Sequence, residues 1–214
     1  MKYIIYGGGP AALIPATEDI IERHGRHVRW IGVDRGAFTL AESGISMEKA
    51  VGDFDSVSRR EWETIKTAVQ LPEIYPPEKN ETDLELAVDF AEKQKPEQIV
   101  IVGGTGGRMD HFLSAVHLME MSRSYLTIED KVNRMCSLEA GLHCVSRSSF
   151  PYVSFLPATD TVEGLTLKGF RYDLSNRKLT KKSTLCISNE WNYTEAEVSF
   201  RTGRLLMVES RDMY

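Results

Sequence analysis

From Tyr3 to Met121 the sequence alternates short apolar runs with helix-patterned segments, and this constrains the fold more than any other feature. Tyr3 to Tyr6 is apolar and stops at three glycines, Gly7 to Gly9; Ala12 to His24 then reads as a helix. Val28 to Val33 is a second strand, ending at Asp34. Ser58 and Glu61 fit a capping box that opens a helix running through about Val69. Glu73 to Tyr75 reads as a short strand, and Thr82 to Gln94 carries apolar residues at helical spacing. Gln98 to Val102 is a further strand, with a helix from about Met109 behind it. Alternation of this kind predicts a parallel sheet covered by helices, with ligands beyond the carboxyl ends of the strands. After Tyr125 the texture changes to short strand-like runs at 152–156, 165–167, 184–187, 196–200 and 205–208, separated by Gly, Asn, Asp and Pro. That spacing predicts an antiparallel sandwich. The expected fold class is therefore α/β: an N-terminal parallel-sheet α/β domain over residues 1–125, then a C-terminal antiparallel β-sandwich over 126–214.

The run Gly103 to His111, GGTGGRMDH, lies between a strand and a helix. A glycine turn entering a helix presents unpaired backbone N–H groups, a setting that favours phosphate. Gly104, Thr105 and Gly106 would supply the turn, Arg108 positive charge, and Asp110 a metal or hydroxyl partner. The run fits neither the dinucleotide fingerprint nor the P-loop. Its alternative reading is a tight connection whose glycines only relieve crowding.

Five acids fall at expected strand ends or helix starts: Asp34, Asp53, Asp55, Asp83 and Asp110. If the sheet forms, all five face one edge, where like charges repel unless protonated or neutralised by a cation. Hard carboxylate oxygens suit magnesium, which takes one or two carboxylates together with phosphate oxygens. Asp83 and Asp110 also fit simple helix-start roles, and Thr82 with Glu85 fits a cap. The pair Asp53 and Asp55, two apart in a loop, calls more directly for a cation.

The 214 residues carry a formal net charge of −5, which argues against non-specific binding to nucleic acid or an anionic membrane. No apolar run approaches the roughly 20 residues of a membrane-spanning helix, and the apolar start before Gly7 is too short for a secretory signal. Cys136, Cys144 and Cys186 form no C-x-x-C pair and predict reduced thiols in the cytoplasm. No histidine spacing fits zinc.

Taken in order, Gly32 to Ala37 (GVDRGA), Gly52 to Ser56 (GDFDS), Asn80 to Asp83 (NETD), Gly103 to His111, Gly169 to Leu174 (GFRYDL) and Ser188 to Trp191 (SNEW) resemble the motifs of the thiamine pyrophosphokinases of bacterial type. The resemblance covers residues from about 30 to 208. It implies transfer of the diphosphate of ATP to the hydroxyl of thiamine, giving thiamine diphosphate and AMP with Mg2+, in a homodimer with thiamine near the subunit interface. Carried over by position, Asp53, Asp55 and Asp83 resemble the metal-linked acids, and Asp34 and Asp110 the other essential acids. Asp34, Arg35, Ser56, Gly104, Thr105, Gly106 and Arg108 resemble nucleotide-binding positions. Thr82, Asp83, Asp110, Ser188, Asn189 and Trp191 resemble the segments that meet thiamine. Trp191 is expected as a flat aromatic wall for the cationic substrate, with core packing or a dimer contact as the alternative. Lys79 is expected to contact phosphate or solvent. The rival readings are a pyrophosphokinase acting on a hydroxymethylpterin, a non-catalytic Mg·ATP sensor, and a hydrolase of nucleotide diphosphates.

Overall fold

The computed structural model describes residues 1–55, 57–74 and 80–213, and the side chains of all of these but 71–74. The chain divides into two compact units, Met1–Lys131 and Val132–Tyr214.

The first unit is a six-stranded, fully parallel sheet. Its strands are β1 (Lys2–Tyr6), β2 (Val28–Val33), β3 (Met47–Gly52), β4 (Val69–Ile74), β5 (Gln98–Val102) and β6 (Leu126–Glu129). Their spatial order is β6-β5-β1-β2-β3-β4. The chain moves outward from β1 through β4 and returns to the other flank with β5, so β1/β5 is the point where strand order reverses. Ligands of open α/β sheets gather at such a point. The helices are α1 (Thr17–His24), α2 (Arg35–Glu42), α3 (Arg59–Ala68), α4 (Asp83–Lys93) and α5 (Met109–Met121). Ile4, Tyr6, Val100 and Val102 pack on one face with Leu40 and Ile65. Tyr3, Ile5, Ile99 and Ile101 alternate to the other face and are equally buried.

Several local expectations shift. The helix expected from Ala12 begins at Thr17, because Pro15 disfavours helical geometry in the residue before it. α2 and β3 carry no clear sequence signal. β3 reads MEKAVG, and the buried Lys49 hides its strand pattern; its ammonium lies 4.5 Å from the Phe90 ring centre. Leu126–Glu129 pairs in parallel with β5 and so belongs to the first unit, past the expected division at 125/126.

The second unit is antiparallel: β7 (Asn133–Ser146), β8 (Tyr152–Pro157), β9 (Thr161–Lys168), β10 (Leu174–Thr180), β11 (Asn189–Glu190) and β12 (Glu195–Ser210). The two runs expected near 196–200 and 205–208 are one strand, β12, broken by a bulge between Phe200 and Arg204. Gly203 supplies the left-handed φ of +92° there. Before the bulge β12 pairs with β9, after it with β8, and with β7 on both sides. The strands enclose one core that includes Phe155, Phe170, Trp191 and Phe200. The apolar run 184–187 is a turn, not a strand; its Cys186 carbonyl accepts the Phe155 N–H at 2.9 Å.

Candidate active site

The parallel strands of the first unit end in polar or glycine-rich turns. Gly7 to Gly9 follows β1, Asp34 follows β2, Asp53 follows β3, Gly103 follows β5, and Asp130 follows β6. Helices α2, α4 and α5 each start at this same edge, because each connects a strand's carboxyl end to the next strand. The topology therefore places Asp34, Asp53, Asp55, Asp83 and Asp110 at one edge.

Local contacts then fix the pieces. Asp34 adopts φ +48°, a left-handed conformation uncommon for a residue with a side chain. Its N–H donates to Val51 O at 2.9 Å, and its carbonyl accepts Ala37 N–H at 3.0 Å, joining β3 to the start of α2. The Asp34 carboxylate lies so close over Gly52 that a Cβ there would collide with Oδ1. Beyond Gly52, Phe54 turns inward at φ +55°, is 7% exposed, and packs on Trp62 with ring centres 4.7 Å apart. This anchor leaves Asp53 and Asp55 on the outside of a turn closed by the Asp55 N–H on Asp53 Oδ1 at 3.1 Å. Asp34 and the Asp53–Asp55 turn are thus brought together. The capping box downstream holds the same loop: Glu61 N–H donates to Ser58 Oγ and Ser58 N–H to Glu61 Oε2.

On the β5 side, Gly103 takes φ +78° and a Cβ on it would approach Gly7 O to 2.5 Å. The two glycine turns at the switch point are packed backbone to backbone, so crowding accounts for part of the glycine content. Thr105 Oγ1 donates to Asp130 Oδ2 at 2.7 Å, tying the turn to the end of β6. Asp130, 1% exposed, is a shaping residue that the sequence reading passed over. Arg108 clasps Asp110 with two hydrogen bonds, Nε to Oδ1 at 3.1 Å and Nη2 to Oδ2 at 2.6 Å. Asp110 Oδ1 also accepts the His111 N–H at 3.0 Å. The Arg108 hydrogen bonds hold the Asp110 carboxyl down to about 2. So low a value makes Asp110 a weak proton acceptor at neutral pH and a firm aligner of Arg108. Thr82 caps α4, accepting Glu85 N–H at 3.1 Å, and Asp83 stands in the first turn. Ser56 and Lys79 lie outside the described residues.

Among the described residues, no three His, Cys, Asp or Glu side chains converge as a ready metal cage. The expected grouping of Asp53, Asp55 and Asp83 is not preassembled. The donor chemistry still fits magnesium in its usual mode, where one or two carboxylates share the ion with phosphate oxygens and water. Asp53 and Asp55, held on one turn, are the residues that could hold it.

In the second unit, Gly169 to Leu174 is clasped to Ser188 to Trp191. Asn189 is 3% exposed, and its amide accepts Tyr172 N–H at 3.0 Å and donates to Tyr172 O at 2.9 Å. Arg171 N–H donates to Glu190 O at 2.8 Å. Phe170 and Trp191 turn into the core with ring centres 5.3 Å apart, and the Trp191 indole N–H donates to Phe150 O at 3.1 Å. Trp191 is only 7% exposed and packs in the core, which agrees with the packing alternative expected for it. Asn189 likewise spends its amide on the backbone of Tyr172. The aromatic ring that remains outside is Tyr172, 57% exposed, with the Arg171 guanidinium 5.4 Å from its centre. It borders a cavity of about 190 Å3 lined also by Leu174, Leu185, Cys186, Ile187 and Asn189. Burial pushes the Cys186 thiol up to about 11, which leaves this wall uncharged. Ser188 is exposed at φ +55°, its N–H donating to Ser154 Oγ at 2.9 Å.

Comparison with known proteins follows the same division. Residues 24–129 match the family model described as thiamin pyrophosphokinase, catalytic domain, and residues 141–205 match thiamin pyrophosphokinase, vitamin B1 binding domain. A thiamine pyrophosphokinase of Bacillus subtilis is 40% identical over 99% of this chain and 100% of its own length. The crystal structure of a B. subtilis thiamine pyrophosphokinase superposes with a TM-score of 0.91 at 38% identity, covering all of both chains. That from Geobacillus thermodenitrificans gives 0.88 at 37% identity, covering 99% of this chain and 98% of the other. With both domains matched in order and relatives alike over their full length, the chain belongs to the thiamine pyrophosphokinase family of enzymes.

Proposed function

We propose that the enzyme transfers the diphosphate of ATP to the hydroxyl of thiamine, releasing AMP, with Mg2+ as cofactor. The observation that carries this reading is the Asp34 carboxylate seated on Gly52 beside the Asp53–Asp55 turn, at the sheet edge that also holds the Gly103–Arg108 turn. Bound through Asp53 and Asp55, with Asp83 on the same edge, magnesium would offset charge on the phosphate oxygens. The chain's own part is positioning. Arg108, whose Nε and Nη2 are held by Asp110, turns its remaining Nη1 and Nη2 hydrogens to phosphate. Gly104, Thr105 and Gly106 shape the turn beneath it, and Arg35 and Ser56 complete the nucleotide contacts. The attacking hydroxyl needs no strong base in a loose phosphoryl-transfer transition state, consistent with an Asp110 that aligns and does not accept a proton.

Thiamine is assigned to the second unit, with Tyr172 as the flat wall for its cationic ring and Asn189 and Ser188 holding that wall in place. Thr82, Asp83 and Asp110 of the first unit are assigned to the hydroxyl that accepts the diphosphate. A homodimer agrees with the exposed apolar Tyr172, Leu185, Ile187 and Tyr193, and cytoplasmic residence agrees with three free cysteines. No described helix is long and apolar enough to cross a membrane.

Incubation with ATP, magnesium and thiamine, followed by chromatography, tests the reading. AMP and thiamine diphosphate are expected in equal amounts, with no AMP when thiamine is omitted. ADP with thiamine monophosphate, or AMP without thiamine, would overturn it. Asp53→Ala is expected to lower turnover by about a hundredfold or more, with an unchanged melting curve.

A further inference from the structure

Asp34 stands at the join of β2 and α2 with φ +48° and ψ −124°. Those angles are close to the first central residue of a type II′ turn, a position dominated by glycine because a Cβ is strained there. Strain of this kind persists only where the surroundings over-determine it, and it gathers at functional sites. Asp34 is also the residue just before α2, where an aspartate ordinarily accepts a helix N–H. Its side chain makes no such cap. The stabilising use of an aspartate at a helix start is given up here, and the backbone is held in an unfavourable shape as well.

Three glycines make that shape possible. Gly32 and Gly36 stand two residues to either side of Asp34, in the run Gly32-Val33-Asp34-Arg35-Gly36. A Cβ on Gly32 would collide with Ala37 Cα, so α2 starts directly over the end of β2. One on Gly36 would collide with Tyr6 O of β1. Gly52, at the end of β3, lies under the Asp34 side chain and leaves the space that Oδ1 occupies. A strand turning sharply into a helix, with glycine two places before and after the turning residue, is the device by which hydrolases with a Gly-x-Ser-x-Gly turn expose a reactive serine. In this chain the residue on the elbow is a carboxylate.

We propose that Gly32, Gly36 and Gly52 are positioning residues for the reaction. They seat Asp34 on a strained elbow, and the stability given up there aims its carboxylate at the reacting phosphates and their cation. The glycines act through Asp34 and touch no substrate. The proposal rests on the reading of this sheet edge as the site of diphosphate transfer.

Thermal melting and steady-state kinetics of wild type, Asp34→Gly, Asp34→Ala, Gly52→Ala and the double variant Asp34→Gly/Gly52→Ala test it. Where the backbone is unstrained, glycine melts below alanine because its unfolded chain has more freedom to lose. At position 34 the order is expected to reverse, with Asp34→Gly melting about 2–4 °C above Asp34→Ala, since only glycine relieves the elbow. Gly52→Ala is expected to lower kcat about a hundredfold, the loss that a displacement of about 1 Å can cause, with KM for thiamine unchanged. It is also expected to lower the melting temperature more in the wild-type background than in Asp34→Gly, where the side chain it strikes is gone. Should Gly52→Ala fail to fold, the comparison at position 34 decides alone. Asp34→Ala melting at or above Asp34→Gly would overturn the proposal. So would a Gly52→Ala chain with wild-type kcat, or one equally destabilised in both backgrounds. A wild-type chain that transfers no diphosphate would instead remove the underlying functional reading, and the melting comparisons would still judge the elbow.

Discussion

At the scale of single residues, burial separates side chains that neighbouring sequence positions would treat alike. Phe54 and Trp191 both stand in motif segments, and both are anchors: each takes a ring into a core and leaves polar neighbours outside. The acids Asp34, Asp53, Asp55, Asp83 and Asp110 were legible from sequence because a carboxylate after a strand or at a helix start is a local pattern. The burial of Trp191 and the exposure of Tyr172 were not legible. Both depend on which way two loops turn when Asn189 clasps Tyr172, and no spacing reports that. The prediction is a split between two variants. Tyr172→Ala should raise KM for thiamine about tenfold, with KM for ATP and the melting temperature unchanged. Trp191→Ala removes a buried ring and should cost about 3–5 kcal/mol of stability. Steady-state kinetics beside thermal melting checks both, and a selective thiamine defect in Trp191→Ala would restore the wall to that residue.

At the scale of elements, the first unit was mostly readable because strand ends and caps have chemical signatures. Ser58 with Glu61 and Thr82 before Asp83 mark α3 and α4 from side chains alone. α2 and β3 escaped because their signals are tertiary: Lys49 lies buried in β3 with Phe90 of α4 over its ammonium. A comparable dependence joins α1 to β6. Glu129, 2% exposed, accepts Arg23 Nη1 at 2.7 Å and His24 Nε2 at 3.1 Å. Burial pushes the Glu129 carboxyl up, but His24 and Arg23 more than offset this and hold it below the ordinary 4.5. A folded value below the unfolded one means the group stabilises the fold above about pH 4.5 and loses that contribution as pH falls through the lower folded value. Glu129→Gln removes the buried carboxylate that Arg23 and His24 share and should cost about 1–3 kcal/mol. Denaturation at several pH values should show a steady difference from wild type in the weakly acid range, shrinking below about pH 4.5. A difference that grows on acidification would contradict this assignment.

At the scale of the whole molecule, each unit has a distinct chemical character. The first offers carboxylates, a guanidinium and glycine turns at a sheet edge, the chemistry on which the proposed phosphate and magnesium site rests. The second offers an exposed aromatic ring and a small, uncharged cavity, which is equipment for an organic cation. The central claim is that the diphosphate passes intact from nucleotide to thiamine. Supplying ATP labelled at its β-phosphorus, with magnesium and thiamine, tests it most directly. The account predicts that all transferred label appears in thiamine diphosphate and that the AMP formed carries none. Label found in ADP or in free phosphate, with thiamine monophosphate as the product, would contradict it.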